Sequence, residues 1–288
     1  MSIQTGIPFV KMNGLGNDFV VVDGRTAPVN LSEDDIRRIS NRETGIGCDQ
    51  FIILEPSTKA DLFMRIHNRD GGEVESCGNA TRCVASILFA ETGNDSASID
   101  TNGGLLQCTP AGDKKIRVDM GRPRFEWQDI PLSEPFADTR AIELQVGPID
   151  APLVHSPSVV NVGNPHAIFW VDDVEAHDLA GFGPLLEHHP IFPESANISL
   201  AQIKSPQSII LRTWERGVGL TSACGTAACA VTVAAARKEL TERKVVVTLP
   251  GGDLEMEWRE DDHIIMTGPY ETEFEGIIDD AMCGRVSV

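Results

Sequence analysis

Two stretches of this chain depart from the alternation of apolar and polar positions seen elsewhere in it. Cys77 to Ala90 and Cys224 to Arg237 are long, small-residue, apolar runs, each opened by Cys-Gly, and the second carries no charge until Arg237. They are too long for strands, and each predicts a buried helix with a thiol at its mouth. Shorter apolar runs read as buried strands: Phe19–Val22, Phe51–Leu54, Leu62–Ile66 and Ile116–Met120, then Ala167–Val171, a short strand after Asn197, Ile209–Trp214 and Ile264–Met266. Lys11 to Asp18 reads as a loop entering the first of these. Ser32 to Ser40 reads as a short helix with Ser32 as its N-cap. Gly93-Asn94 stops the first thiol helix, and Asn102-Gly103-Gly104 and Pro250-Gly251-Gly252 mark turns.

The second half repeats the first. Subtracting 17 from 164, 50 from 197, 68 from 215, 77 from 224, 104 from 251 and 121 from 268 gives 147 each time, so an ungapped offset pairs amides, glycines and thiols at the ends of predicted elements. Core packing would match aliphatics instead. The Pro-rich, charged stretch Gly121 to Pro135 is taken as the crossing between domains, giving residues 1–122 and 123–275 as the two repeats.

A chain of 288 residues is long enough for two domains with sizeable cores. Its 43 acidic against 24 basic residues give a formal net charge of −19, which disfavours nucleic acid and anionic membranes as partners. No basic leader and no spanning apolar run is evident, so a cytoplasmic protein is expected. Seven cysteines without a Cys-x-x-Cys pair point to reduced thiols, and no metal is expected because histidines and cysteines do not cluster at ligand spacing. Gly14-Leu-Gly16 runs into a strand and lacks the third glycine of a dinucleotide fingerprint.

A helix mouth offers unpaired N–H groups and the positive end of the dipole, which lowers a thiol pKa and holds a carboxylate. Two such thiols, Cys77 and Cys224, suit acid/base work on opposite faces of one carbon, one thiolate removing a proton and the other thiol returning one. Backbone N–H groups near Gly78, Asn79, Gly225 and Thr226 would hold the substrate carboxylate and stabilise the charge that develops on it. Asn17, Gln50, Asn68, Asn164, Asn197, Glu215 and Arg216 would fix orientation. The plain alternatives are buried packing cysteines and turn-forming asparagines, or a thiol redox protein, or a non-catalytic binder.

Across Gly14-Leu-Gly-Asn17-Asp-Phe19, Gly47-Cys-Asp-Gln50, Asn68-Arg-Asp-Gly71, Cys77-Gly-Asn79, Gly163-Asn164-Pro-His166, Glu194-Ser-Ala-Asn197, Glu215-Arg216-Gly217 and Ala223-Cys224-Gly225, the chain resembles the diaminopimelate epimerases, pyridoxal-independent amino-acid racemases. The resemblance implies an α+β fold of two pseudo-symmetric domains, each a mixed β-barrel-like sheet around a central helix, with the active site in the cleft between them. It also implies that residues 276–288 return to the first domain. It makes Cys77 and Cys224 the two bases, places Glu215 and His166 at the reacting amino group, and gives Asn68, Asn164, Asn197 and Arg216 the distal amino and carboxylate groups of diaminopimelate. No cofactor is implied, and a homodimer is left open. Proline or hydroxyproline racemase, of the same architecture, is the runner-up, but a cyclic amino acid has no distal groups for Arg216 and the asparagines. Cys48, beside the site loop, reads as packing.

Overall fold

The computed structural model describes residues 6–75 and 77–284. Two units divide the chain: the first runs to Val118 and resumes at Gly268, and the second is Asp119–Thr267. In the first unit the hairpin β1 (Ile7–Gly14) and β2 (Asn17–Asp23) is antiparallel, β2 runs parallel to β3 (Gln50–Glu55), and β3 is antiparallel to β4 (Leu62–Asn68). The short helix α1 (Glu33–Ile39) lies between β2 and β3 in the chain, with Ser32 and Asp35 forming a capping box. After the two-residue β5 (Glu73–Val74) comes helix α2 (Gly78–Thr92), and then β6 (Ala97–Thr101), parallel to β4, β7 (Gly104–Pro110) and β8 (Lys115–Asp119).

The run Phe19–Val22 is apolar throughout because both faces of β2 are covered. Val20 and Val22 pack with Ile36 and Ile39 of α1, while the other face of the sheet meets α2. α2 packs on β1, β2, β6 and β7 and is buried on most sides, which is why it is built from small apolar residues instead of one apolar stripe.

The second unit repeats this plan. Beyond the small hairpin β9 (Gln145–Val146) and β10 (Val154–His155) come β11 (Ser158–Asn161) antiparallel to β12 (Pro165–Trp170), helix α3 (Leu179–Glu187), β13 (Asn197–Ser205) parallel to β12, and β14 (Ser208–Glu215) antiparallel to β13. β15 (Gly219–Leu220) leads to helix α4 (Gly225–Arg237), followed by β16 (Lys244–Leu249), β17 (Gly252–Trp258) and β18 (Ile264–Pro269). α4 packs on β11, β12, β13, β14, β16 and β17 and is buried almost throughout. The last strand, β19 (Glu271–Ile278), pairs antiparallel with β1 in the first unit. Each unit is thus a mixed sheet wrapped about one thiol helix. Among the described residues, no helix is long and apolar enough to cross a membrane.

The internal repeat holds in strand register as well as in sequence. Phe19 pairs with Gln50 and His166 with Asn197, both members shifted by 147. The ungapped offset fails after the helices. Thr101 and Gly104 close one hairpin and Leu249 and Gly252 the other, a shift of 148, so Gly104 corresponds to Gly252 and not to Gly251. The helices themselves differ, 15 residues against 13, but the longer connection after α4 makes up the difference, so β6 and β16 still start 147 apart; the extra residue lies in the strand, with five residues in β6 against six in β16.

Other expectations change too. Lys11–Gly14 is strand, and only Leu15 and Gly16, with φ of 65° and 81°, form the turn. The strand after Asn197 has nine residues. Gly121–Pro135 is not a free crossing: Ile130 and Leu132 are buried in the second unit's core with Phe169 and Leu179, and Arg124 bridges to Asn161. The return to the first unit is made by β19, ahead of the expected 276, because its pairing with β1 begins at Glu271; residues 285–288 lie outside the described residues.

Candidate active site

In the first unit, Asn17 opens β2, Gln50 opens the parallel β3, and Asn68 closes the antiparallel β4, so all three stand at one end of the sheet. The mouth of α2 lies at the same end, because Gly14, the last residue of β1, meets the Asn79 carbonyl: a Cβ at position 14 would sit 2.9 Å from that oxygen. Cys77 is the N-cap of α2, with extended φ of −147°, and Gly78 and Asn79 form its buried first turn. The Cys77 Sγ lies 3.7 Å from Asn17 Oδ1. Gln50 Nε2 donates to Asn68 Oδ1 at 3.1 Å, while Gln50 Oε1 is buried with no hydrogen-bond partner.

An ionic cluster behind Asn17 sets the orientation of its amide. Asn17 Nδ2 donates to Asp49 Oδ2 at 3.1 Å, so its oxygen is the atom presented to the thiol. Arg42 holds Asp49 and Asp18 together, at 2.7 and 2.8 Å, and the buried Lys11 lies 2.6 Å from Asp18. Burial alone would raise the Asp18 pKa, but the hydrogen bonds and charges of Arg42 and Lys11 prevail and hold it well below the usual carboxylate range. Asp49, Asp18 and Arg42 were not among the expected site residues; Asp18 and Asp49 fall inside the quoted motifs, and that was the only signal available. Cys48 is fully buried next to Ser40, and burial raises its pKa, in keeping with packing.

The second unit carries the equivalent set. Asn164 precedes β12, His166 lies on it, Asn197 opens β13 and pairs with His166 in register, and Glu215 closes β14. His166 Nε2 lies 2.8 Å from Asn164 Oδ1 and 3.4 Å from Asn197 Nδ2, while Nδ1 is buried without a hydrogen-bond partner. Burial, with the charge of Arg216, drives the His166 pKa down to about 3, so the ring is neutral. Asn197 ties three segments together: its Nδ2 donates to Pro165 O and its Oδ1 accepts from Arg216 N–H at 3.0 Å. Arg216 Nη1 donates to Glu194 O, and the Thr221 hydroxyl donates to Glu215.

Cys224 is the N-cap of α4, with φ of −127°, and its Sγ lies 3.5 Å from the Thr226 hydroxyl; Gly225 and Thr226 form the first turn. A helix mouth was expected to lower both thiol pKa values. For Cys224 the opposite holds: burial and the neighbouring Glu215 carboxylate push the thiol well up, against the smaller pull of Thr226 and the Ala227 N–H. Desolvation of this residue, 5 % exposed, outweighs the dipole here. Among the described residues no group of three or more His, Cys, Asp or Glu is placed to hold a metal.

The fold of the chain is shared with a known epimerase and with more distant relatives. A hydroxyproline epimerase from Agrobacterium vitis superposes with a TM-score of 0.68 at 13% identity, covering 100% of this chain and 97% of that one. A phenazine biosynthesis protein of the PhzF family from Enterococcus faecalis gives 0.65 at 14% identity, covering 95% and 99%. Sequence is more specific. The model of the diaminopimelate epimerase family matches residues 9–126 and 158–273, and the diaminopimelate epimerases of Rhodopseudomonas palustris strain BisB18 and Brucella anthropi are each 56% identical, over 95% and 97% of this chain and 95% and 94% of theirs. The chain belongs to the diaminopimelate epimerase family, whose members are isomerases.

Proposed function

We propose that this protein interconverts LL- and meso-diaminopimelate without a cofactor, Cys77 and Cys224 acting on opposite faces of one α-carbon. The observation that carries the reading is the repeated one: each unit sets a cysteine as the N-cap of a buried helix at the sheet end where its amides stand. The transfer needs one thiol and one thiolate: Cys224, raised by burial and Glu215, holds its proton and is the donor in the direction in which the Cys77 thiolate is the acceptor. The α-proton passes to Cys77 Sγ as the Cys224 S–H proton reaches the other face. Turnover in the reverse direction starts from the exchanged protonation state.

The α-proton is a very weak acid, so the charge that develops on the carboxylate needs fixed donors. The first-turn N–H groups at Gly78, Asn79, Gly225 and Thr226 supply them, with the favourable ends of both helix dipoles. Glu215 and neutral His166 serve the reacting ammonium, with Nδ1 the ring atom of His166 left without a partner. Asn68, Asn164, Asn197 and Arg216 read the distal amino and carboxylate groups, the guanidinium providing a charged fork for the carboxylate. Asn17 and Gln50 orient the groups at the first thiol.

The test is conversion of LL-diaminopimelate to the meso isomer by reduced protein, followed by chiral chromatography, with L-proline and trans-4-hydroxy-L-proline as parallel substrates. Conversion of diaminopimelate alone is expected. Turnover of the cyclic amino acids with diaminopimelate untouched would move the assignment to the proline racemase class.

A further inference from the structure

Glu187, the last residue of α3, is 4 % exposed and lies outside every motif of the site. Its two carboxylate oxygens are both engaged. Oε2 accepts from the Trp214 indole Nε1–H at 2.7 Å, and Oε1 accepts from the Gly217 backbone N–H at 2.7 Å. These partners bracket Glu215-Arg216. The Arg216 N–H between them goes to Asn197 Oδ1, so two successive amides of the loop are held by two side chains from two other elements. The Glu187 carbonyl accepts from Ala196 N–H, next to Asn197 itself. The nearest basic side chain, His188, lies 3.8 Å from Oε1.

The packing is built to allow this reach. α3 lies on Trp214 through Gly183, where a Cβ would come within 2.7 Å of the indole ring, while Phe182 and Leu186 anchor the helix in the core. Burying a carboxyl group here carries a desolvation cost, and an apolar residue would fill the space more cheaply. Removing either acceptor would break one of the two part-buried hydrogen bonds that tie α3 to this segment. The carboxylate is therefore suited to one task, which is to hold the strand end and the loop after it in a single geometry.

From this clamp we infer that Glu187 is a positioning residue for the reaction, acting through the Trp214–Gly217 segment to fix Arg216 for the distal carboxylate of the substrate. The inference rests on the reading that Arg216 binds the distal carboxylate. Glu187→Gln keeps size and burial but offers one acceptor where two are needed. In protein with an unchanged circular dichroism spectrum, KM for LL-diaminopimelate is expected to rise at least tenfold with kcat within threefold; lost stability alone would lower the active fraction, hence apparent kcat, and leave KM unchanged. Trp214→Phe, which removes the indole donor and keeps the ring and the carboxylate, is expected to raise KM about threefold, and provides the test if Glu187→Gln does not fold. Arg216→Ala is the control. Raised KM in Arg216→Ala but unchanged KM in Glu187→Gln, or in Trp214→Phe where that variant stands in, overturns this inference alone. Unchanged KM in Arg216→Ala overturns the reading of Arg216, and this inference with it.

Discussion

At the scale of single residues, the two thiols have unlike surroundings although they occupy equivalent positions. Cys224 is buried beside a carboxylate, whereas Cys77 is partly exposed and faces an amide oxygen. Replacing either by alanine removes one proton-transfer partner, and loss of at least ~10³-fold in kcat is expected for each, within the range of general acid–base effects; the double variant should lose little more, since the pair acts as one unit. His166 gives a separate expectation. Its folded-state pKa of about 3 lies below its ordinary value of 6.5, so between those values the unfolded chain takes up a proton that the native state refuses. Stability therefore falls as pH drops through this window, by up to roughly 4 kcal/mol at its lower end. Urea titrations from pH 7 to pH 4 should show a shallower loss in His166→Gln than in the parent; equal slopes would show that this ring does not control the acid limb.

At the scale of elements, the site depends on strand ends and helix mouths meeting at one end of each sheet. Gly14 is the sharpest case, because a methyl there would press on the Asn79 carbonyl in the first turn of α2. Gly14→Ala is expected to cost about 1–3 kcal/mol, as overpacking does, and to lower kcat by misplacing the Gly78 and Asn79 N–H groups; a variant with parental stability and rate would show that β1 does not set the helix position. The thiol helices and most strands are legible in the sequence because burial on all sides leaves long runs of small apolar residues and short runs of β-branched ones. α3 is not legible: Gly181, Gly183 and Pro184 are poor helix formers, and only packing on Trp214 explains Gly183. For the same reason Glu187 could not be found in advance, since its partners lie 27 and 30 residues away. The Asp49–Arg42–Asp18 cluster behind Asn17 was only half legible: Asp18 and Asp49 stand inside motifs, but Arg42, which joins them, lies 24 residues from one and 7 from the other.

At the scale of the whole molecule, the repeat explains why one chain carries two thiols, and the slip from 147 to 148 shows where the copies drifted. Strand registers around the site kept the offset, while the helix ends and the hairpins beyond changed length. Site positions are held by pairing on both sides; the far ends of the helices answer only to their own unit. The central claim is that two separate groups, one in each unit, remove and deliver the proton. It is tested most directly by running the reaction in deuterium oxide from each pure isomer and measuring the α-hydrogen by mass spectrometry at low conversion. Two thiols acting from opposite faces should give product carrying α-deuterium and recovered substrate still carrying protium, from either starting isomer. Product that retains the substrate's own α-proton would mean a single group serving both faces, and would contradict the account.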